Sequence, residues 1–104
     1  MLPLRVIFIT VPPTKAESLS KQLIEENLAA CVNLLPTIES YYKWDGKLNT
    51  EEESLLIVKT TEQKVEQLIT FVKENHPYEV PEIIALPLTE GLPDYLDWVR
   101  ESMK

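Results

Sequence analysis

Three segments of this chain, residues 6–9 (VIFI), 55–58 (LLIV) and 83–86 (IIAL), are apolar at every position. Successive side chains of a strand point to opposite faces of a sheet, so each segment needs cover on both sides. Whatever the chain folds into must press two apolar layers against one sheet.

The segments sit in a legible order. Residues 4–11 (LRVIFITV) read as a buried, β-branched strand. Pro12 and Pro13 end it, because proline cannot donate to a ladder yet suits the first turn of a helix. Ala16, Leu19, Leu23 and Ile24 then recur at helical spacing to about Asn27. Strand character returns over residues 29–44, with Pro36 predicted as a bulge or bend. Asp45-Gly46 supplies the two positive-φ positions of a type I′ hairpin, sending the chain back through KLNTEEES into LLIVKT. Thr60 with Gln63 predicts a capping box opening a helix that carries Val65, Leu68, Ile69 and Val72 on one face. That helix must stop near Asn75, since a residue before proline is pushed out of the α region. Residues 82–88 (EIIALPL) supply a fourth strand. After Gly91, Leu92, Tyr95, Leu96 and Val99 mark a last short helix, which Trp98 is expected to anchor to the body.

The order β-α-β-β-α-β with a terminal helix predicts an α+β, ferredoxin-like domain over residues 1–104: a four-stranded antiparallel sheet with two helices on one face. Two helices cannot cover both faces. The hairpin over residues 29–60 is also long against a typical strand of about 5–6 residues, and its edges would be bare. Both points predict a homo-oligomer in which sheet faces and hairpin arms pack across subunits.

Charge and composition narrow the function. Seventeen acidic residues against ten basic ones give a net charge of −7, and no Lys/Arg cluster is present, so nucleic acid is not an expected partner. Anionic membrane surfaces are disfavoured for the same reason, and no apolar stretch approaches the ~18 residues of a membrane helix. The single cysteine excludes an internal disulfide, a CxxC pair and a zinc finger. With no cleavage-type signature at the N-terminus, a soluble, reducing compartment is expected. Gly46 and Gly91 are the only glycines, too few for a phosphate-cradling loop, and neither GxSxG nor HExxH occurs. No enzyme and no organic cofactor are expected.

The chemistry that remains gathers around ENHPYEVPE, residues 74–82, which contains the only histidine. A neutral imidazole at His76 suits copper, zinc or nickel, and Glu79 or Glu82 would add oxygen ligands once the chain turns at Pro77. A histidine at a helix C-terminus equally caps carbonyls and meets the helix dipole. Cys31 lies in an apolar strand context, where a free thiol packs as a small hydrophobe. Facing a cleft with His76, from its own or a neighbouring subunit, it would instead complement the imidazole for a soft ion. Lys59 closes the run LLIV, either as a solvated edge residue or as an anion-binding group in an inter-subunit cleft beside Tyr78. Tyr41, Tyr42, Trp44 and Tyr78 suit packing and interface roles. Glu51, Glu52 and Glu53 make a poor chelate as a run, because consecutive strand residues diverge.

LAACVNLLP, SYYKWDGKL, LLIVKT, HPYEVPEI and DYLDWV, in this order and spacing, closely resemble the CutA family of divalent-cation-tolerance proteins across nearly the whole chain. The resemblance implies a ferredoxin-like fold, a tight homotrimer similar to the PII signalling proteins, a role in copper or divalent-metal tolerance, and, for bacterial members, the cytoplasm. Members with ascribed copper binding use the histidine matching His76, and some add a second histidine before it and a cysteine near the end of the first strand. Asn75 and Ile9 stand at those places here. The functions this implies are a non-enzymatic trimer with weak metal binding at an inter-subunit cleft, a PII-like small-molecule module, or a structural trimer.

Overall fold

The computed structural model describes residues 1–104. The elements are β1 (Leu4–Val11), α1 (Pro13–Glu25), β2 (Cys31–Trp44), β3 (Lys47–Thr61), α2 (Val65–Glu74), β4 (Ile83–Leu88) and α3 (Pro93–Ser102). The strands form one antiparallel sheet in the order β2-β3-β1-β4, which is the α+β, ferredoxin-like arrangement expected.

One face of the sheet is closed by α1 and α2. The register Ile7↔Val58 and Ile9↔Leu56 lines these side chains on a single face. There they meet Ala16, Leu19 and Leu23 of α1 and Leu68 and Val72 of α2 in one core. Fully burying a Leu, Ile or Val contributes about 1.5–3 kcal/mol, which is why both helices keep one apolar stripe and charge the rest.

The opposite face carries Leu4, Val6 and Phe8 of β1, Leu55 and Ile57 of β3, Leu35 of β2, and Ile84 and Leu86 of β4, all in register with one another. Only α3 packs on this side, against β3, with Arg100 Nε donating to the Leu2 carbonyl at 2.9 Å. It seals one end, where Leu4 and Val99 are buried. Leu35, Ile84 and Leu86 stay 39%, 49% and 42% exposed. The anchor of α3 is Val99 with Met103, both buried, and not Trp98. The Trp98 ring lies half exposed on the surface, stacked on Tyr95 with centroids 5.7 Å apart.

Beyond the helices β2 and β3 continue as a two-stranded arm, and the molecule reaches 45 Å in its longest direction. The ladder slips between Leu35 and Ile38 around Pro36, which has no N–H to offer, and the Pro36 carbonyl accepts from Ser54 Oγ at 2.7 Å. At the tip Asp45 and Gly46 take φ of 52° and 74°, the two positive values a type I′ turn requires. Tyr41, Trp44 and Leu48 stand exposed near it.

The predicted capping box does not form. Thr60 is still in β3, opposite Arg5, and its hydroxyl donates to the Leu28 carbonyl at 2.7 Å. A 3-10 turn over Glu62–Lys64 intervenes before α2 begins. The buried Leu28 carbonyl needed a donor, and the Thr60 side chain was the one aimed at it.

Candidate functional site

The uncovered face has a polar cluster at each end. Strand alternation along β3 sets Glu51, Glu53, Leu55, Ile57 and Lys59 in one row on this face: two carboxylates, an apolar centre, then an ammonium.

At the ammonium end, Cys31 lies directly opposite Lys59 in the β2–β3 ladder. Asn33, two residues on, joins them: its Oδ1 accepts from Lys59 Nζ and lies 3.9 Å from Cys31 Sγ. The Tyr95 hydroxyl of α3 completes the group. Burial raises its pKa, and the hydrogen bond and charge of Cys31 add to the rise. An ammonium, an amide, a phenol and a thiol thus converge beside exposed apolar surface. Lys59 and Cys31 were legible as candidates in the sequence, and alternation along β2 points to Asn33 as well. Nothing in the sequence pointed to Tyr95.

At the other end, the turn after α2 folds the His76 ring inward. His76 is 8% exposed, with Nε2 2.8 Å from the Thr10 carbonyl oxygen and Nδ1 accepting the Tyr78 backbone N–H at 3.1 Å. A carbonyl only accepts and an amide N–H only donates, so the ring is held with its proton on Nε2 and its lone pair on Nδ1 engaged. Neither nitrogen is free for a metal. The Tyr78 ring packs on the imidazole, with centroids 4.8 Å apart. Its hydroxyl donates to Glu51 at 3.2 Å, and the same carboxylate holds the Tyr42 hydroxyl above its ordinary pKa. Burial, then the charges of Glu53 and Glu51, push Tyr78 up to about 12.

The predicted residues therefore fall into two groups within one chain. Cys31 is level with Lys59 and Val6, and His76 binds at the level of Thr10, four rungs or roughly 13 Å along the strands. Lys59 and the Glu51 partner of Tyr78 are eight β3 residues apart, roughly 26 Å. Glu79 and Glu82 are exposed on the segment entering β4. No three His, Cys, Asp or Glu side chains converge in a metal-sized site. Of the two positions singled out by the family resemblance, Ile9 is fully buried in the helix-side core. Asn75 donates from Nδ2 to the Phe71 carbonyl at 2.8 Å, capping α2. A shallow groove of about 530 Å³ between the end of α1 and α2 is lined by Glu26, Glu66 and Glu74, on the outer helical side. None of the predicted site residues borders it.

The sequence model of the family described as "CutA1 divalent ion tolerance protein" matches residues 5–102. The chain is 45% identical over 104 residues to "Protein CutA, chloroplastic" of Arabidopsis thaliana, covering 99% of this chain and 57% of that protein. It is 50% identical over 98 residues to the "Divalent-cation tolerance protein CutA" of Thermus thermophilus, covering 93% of this chain and 95% of the relative. The chain thus spans little more than half the length of the plant relative and nearly all of the bacterial one. Among solved structures, CutA1 of Oryza sativa superposes with a TM-score of 0.94 at 47% identity, over 99% of this chain and 95% of that one. A CutA structure from Archaeoglobus fulgidus, described as periplasmic, superposes with a TM-score of 0.92 at 39% identity, over 97% and 99%. Relatives thus carry chloroplastic and periplasmic descriptions, and no helix of this chain is long and apolar enough to cross a membrane.

Proposed function

The chain belongs to the CutA1 divalent ion tolerance family, and we propose that it acts as a non-enzymatic homotrimer with a ligand cleft on its open sheet face. The observation that carries this is the polar cluster of Cys31, Asn33, Lys59 and Tyr95 beside an apolar face that nothing in the chain covers. A contiguous apolar patch left open marks a partner, and a second copy presents a patch of the same kind. The number three follows from the family resemblance.

Cleft chemistry favours a small organic anion bound in the manner of a PII-like regulatory module. The Lys59 ammonium repels a free cation and matches a carboxylate or phosphate, while Asn33 and Tyr95 add neutral hydrogen bonds. Thermal-shift measurements with metabolite carboxylates and phosphates test this. Stabilisation present in the wild type and lost in Lys59→Ala supports the cleft, and equal shifts in both remove it.

The family description, divalent ion tolerance, supports a second reading, a divalent metal ion held by His76 with Glu79 and with Cys31 of the same or a neighbouring subunit. Such a site requires His76 to release the Tyr78 amide or the Thr10 carbonyl, which makes any binding weak. Calorimetric titration with Cu and Zn ions on wild type, His76→Ala and Cys31→Ser decides it. Identical isotherms in all three rule out this ligand set.

A further inference from the structure

Val99 and Met103 anchor α3, which leaves Trp98 without a structural task. Its ring is 49% exposed and stacked on Tyr95, with centroids 5.7 Å apart and planes 29° from parallel. Tyr95 in turn belongs to the Lys59 cluster: burial and then the Cys31 thiol raise its pKa, which places its hydroxyl beside that thiol. The two rings therefore form a flat, half-exposed aromatic wall that starts at the polar cluster and runs outward from it.

The cluster at the foot of this wall offers donors and a single charge. Lys59 Nζ donates to Asn33 Oδ1 and pairs with no carboxylate. An ammonium only donates, so Oδ1 of the amide is the atom turned to Lys59, and the Nδ2 hydrogens of Asn33 meet no acceptor in the chain. Ammonium and amide side by side match the two oxygens of one carboxylate. A second anionic group finds nothing comparable. Asn33 stands opposite Ile57, and Ile57 opposite Phe8, so the adjoining rungs of the sheet are hydrocarbon. Arg5 is held by Glu62 and Arg100 by Asp97, and the remaining lysines belong to α1, the tip of the arm, the neighbourhood of α2 and the C-terminus. A net charge of −7 also makes each further negative charge on a ligand less favourable. We infer that the Lys59 cleft takes an aromatic monocarboxylate, its carboxylate on Lys59 and Asn33 and its ring against Tyr95 and Trp98. The inference rests on the anion-cleft reading above and goes beyond it in fixing one charge and a flat body.

The test is calorimetric titration of the full chain with four probes: benzoate, cyclohexanecarboxylate, succinate and inorganic phosphate. Cyclohexanecarboxylate carries the same charge on a puckered and more apolar body, so a preference for benzoate reports stacking and not bulk apolarity. Benzoate should bind about three- to tenfold tighter than cyclohexanecarboxylate, and both should weaken about tenfold or more in Lys59→Met. Trp98→Leu should abolish the preference and leave cyclohexanecarboxylate binding unchanged. Trp44→Phe, at the tip of the arm, leaves Trp98 as the only tryptophan, and its emission should change saturably with benzoate. That measurement needs no substitution in the cleft. Equal affinity for the two ring acids, or a preference that Trp98→Leu retains, overturns the aromatic ligand while Lys59-dependent binding keeps the cleft. Tighter binding of succinate or phosphate overturns the single charge. Binding of no probe in a Lys59-dependent way removes the cleft and this inference together.

Discussion

His76 Nε2 lies 2.8 Å from the carbonyl oxygen of Thr10, joining the turn after α2 to the end of β1, 66 residues away in sequence. With Nδ1 also engaged, the only histidine acts as a clamp that carries Tyr78 to Glu51. His76→Ala leaves the Thr10 carbonyl and the Tyr78 amide without their partner and opens space beneath the Tyr78 ring. A loss of about 2–3 kcal/mol follows, read as a lowered urea midpoint at unchanged slope. A loss below about 0.5 kcal/mol contradicts the clamp.

Tyr78 gives stability a definite alkaline dependence. Burial and the neighbouring carboxylates raise its folded-state pKa to about 12, against an ordinary value near 10. Between those values the folded chain keeps the phenolic proton and the unfolded chain releases it. The contribution is therefore fully present below pH ~10 and lost as pH rises through ~12. Absorbance at 295 nm should show one tyrosinate appearing well after the first, and Tyr78→Phe should remove that late component. Stability of Tyr78→Phe should also fall less steeply above pH ~10. A Tyr78→Phe titration that keeps the late component assigns it to Tyr41, Tyr42 or Tyr95, whose pKa values are also raised.

Thr60 separates what local patterning can reveal from what it cannot. The order of elements, the hairpin at Asp45-Gly46 and the slip at Pro36 were all legible, because each is written in a short local stretch of sequence. Thr60 and Gln63 also fitted a local pattern, yet the Thr60 hydroxyl serves Leu28, 32 residues away. Trp98 misled for a related reason. Large aromatics usually bury, but the turn of α3 that faces the sheet belongs to Val99 and Met103. In the candidate sites, residue types were readable and convergence was not. Cys31 facing Lys59 depends on a register set by the hairpin turn, and the engagement of both His76 nitrogens depends on β1 lying beneath it.

Thr60→Val keeps the shape of the side chain and removes its hydroxyl. The buried Leu28 carbonyl then loses its side-chain donor, at a cost of about 1–3 kcal/mol, while α2 keeps its helical content. Gln63→Ala should stay within about 0.5 kcal/mol of wild type, because no side-chain cap is present to lose. A capping box would give a different pair of results, with both substitutions fraying α2 and each costing about 1 kcal/mol. Chemical denaturation together with circular dichroism at 222 nm distinguishes the two.

Ile84 tests the open face directly. It stands opposite Phe8 on β4 and is 49% exposed in the single chain, so Ile84→Glu should cost the isolated subunit under about 1 kcal/mol. In an assembly built on this face, the same substitution buries carboxylates against apolar surface and against each other, which costs several kcal/mol per subunit. Static light scattering at micromolar concentration should therefore give three times the chain mass for the wild type and the chain mass for Ile84→Glu. Glu66→Lys, on the helix side, should leave the assembly intact. A wild-type protein that scatters as a monomer removes the need for cover on the second face. An Ile84→Glu protein that remains trimeric places the interface elsewhere, with the exposed aromatics of the hairpin arm as the surface left to explain it.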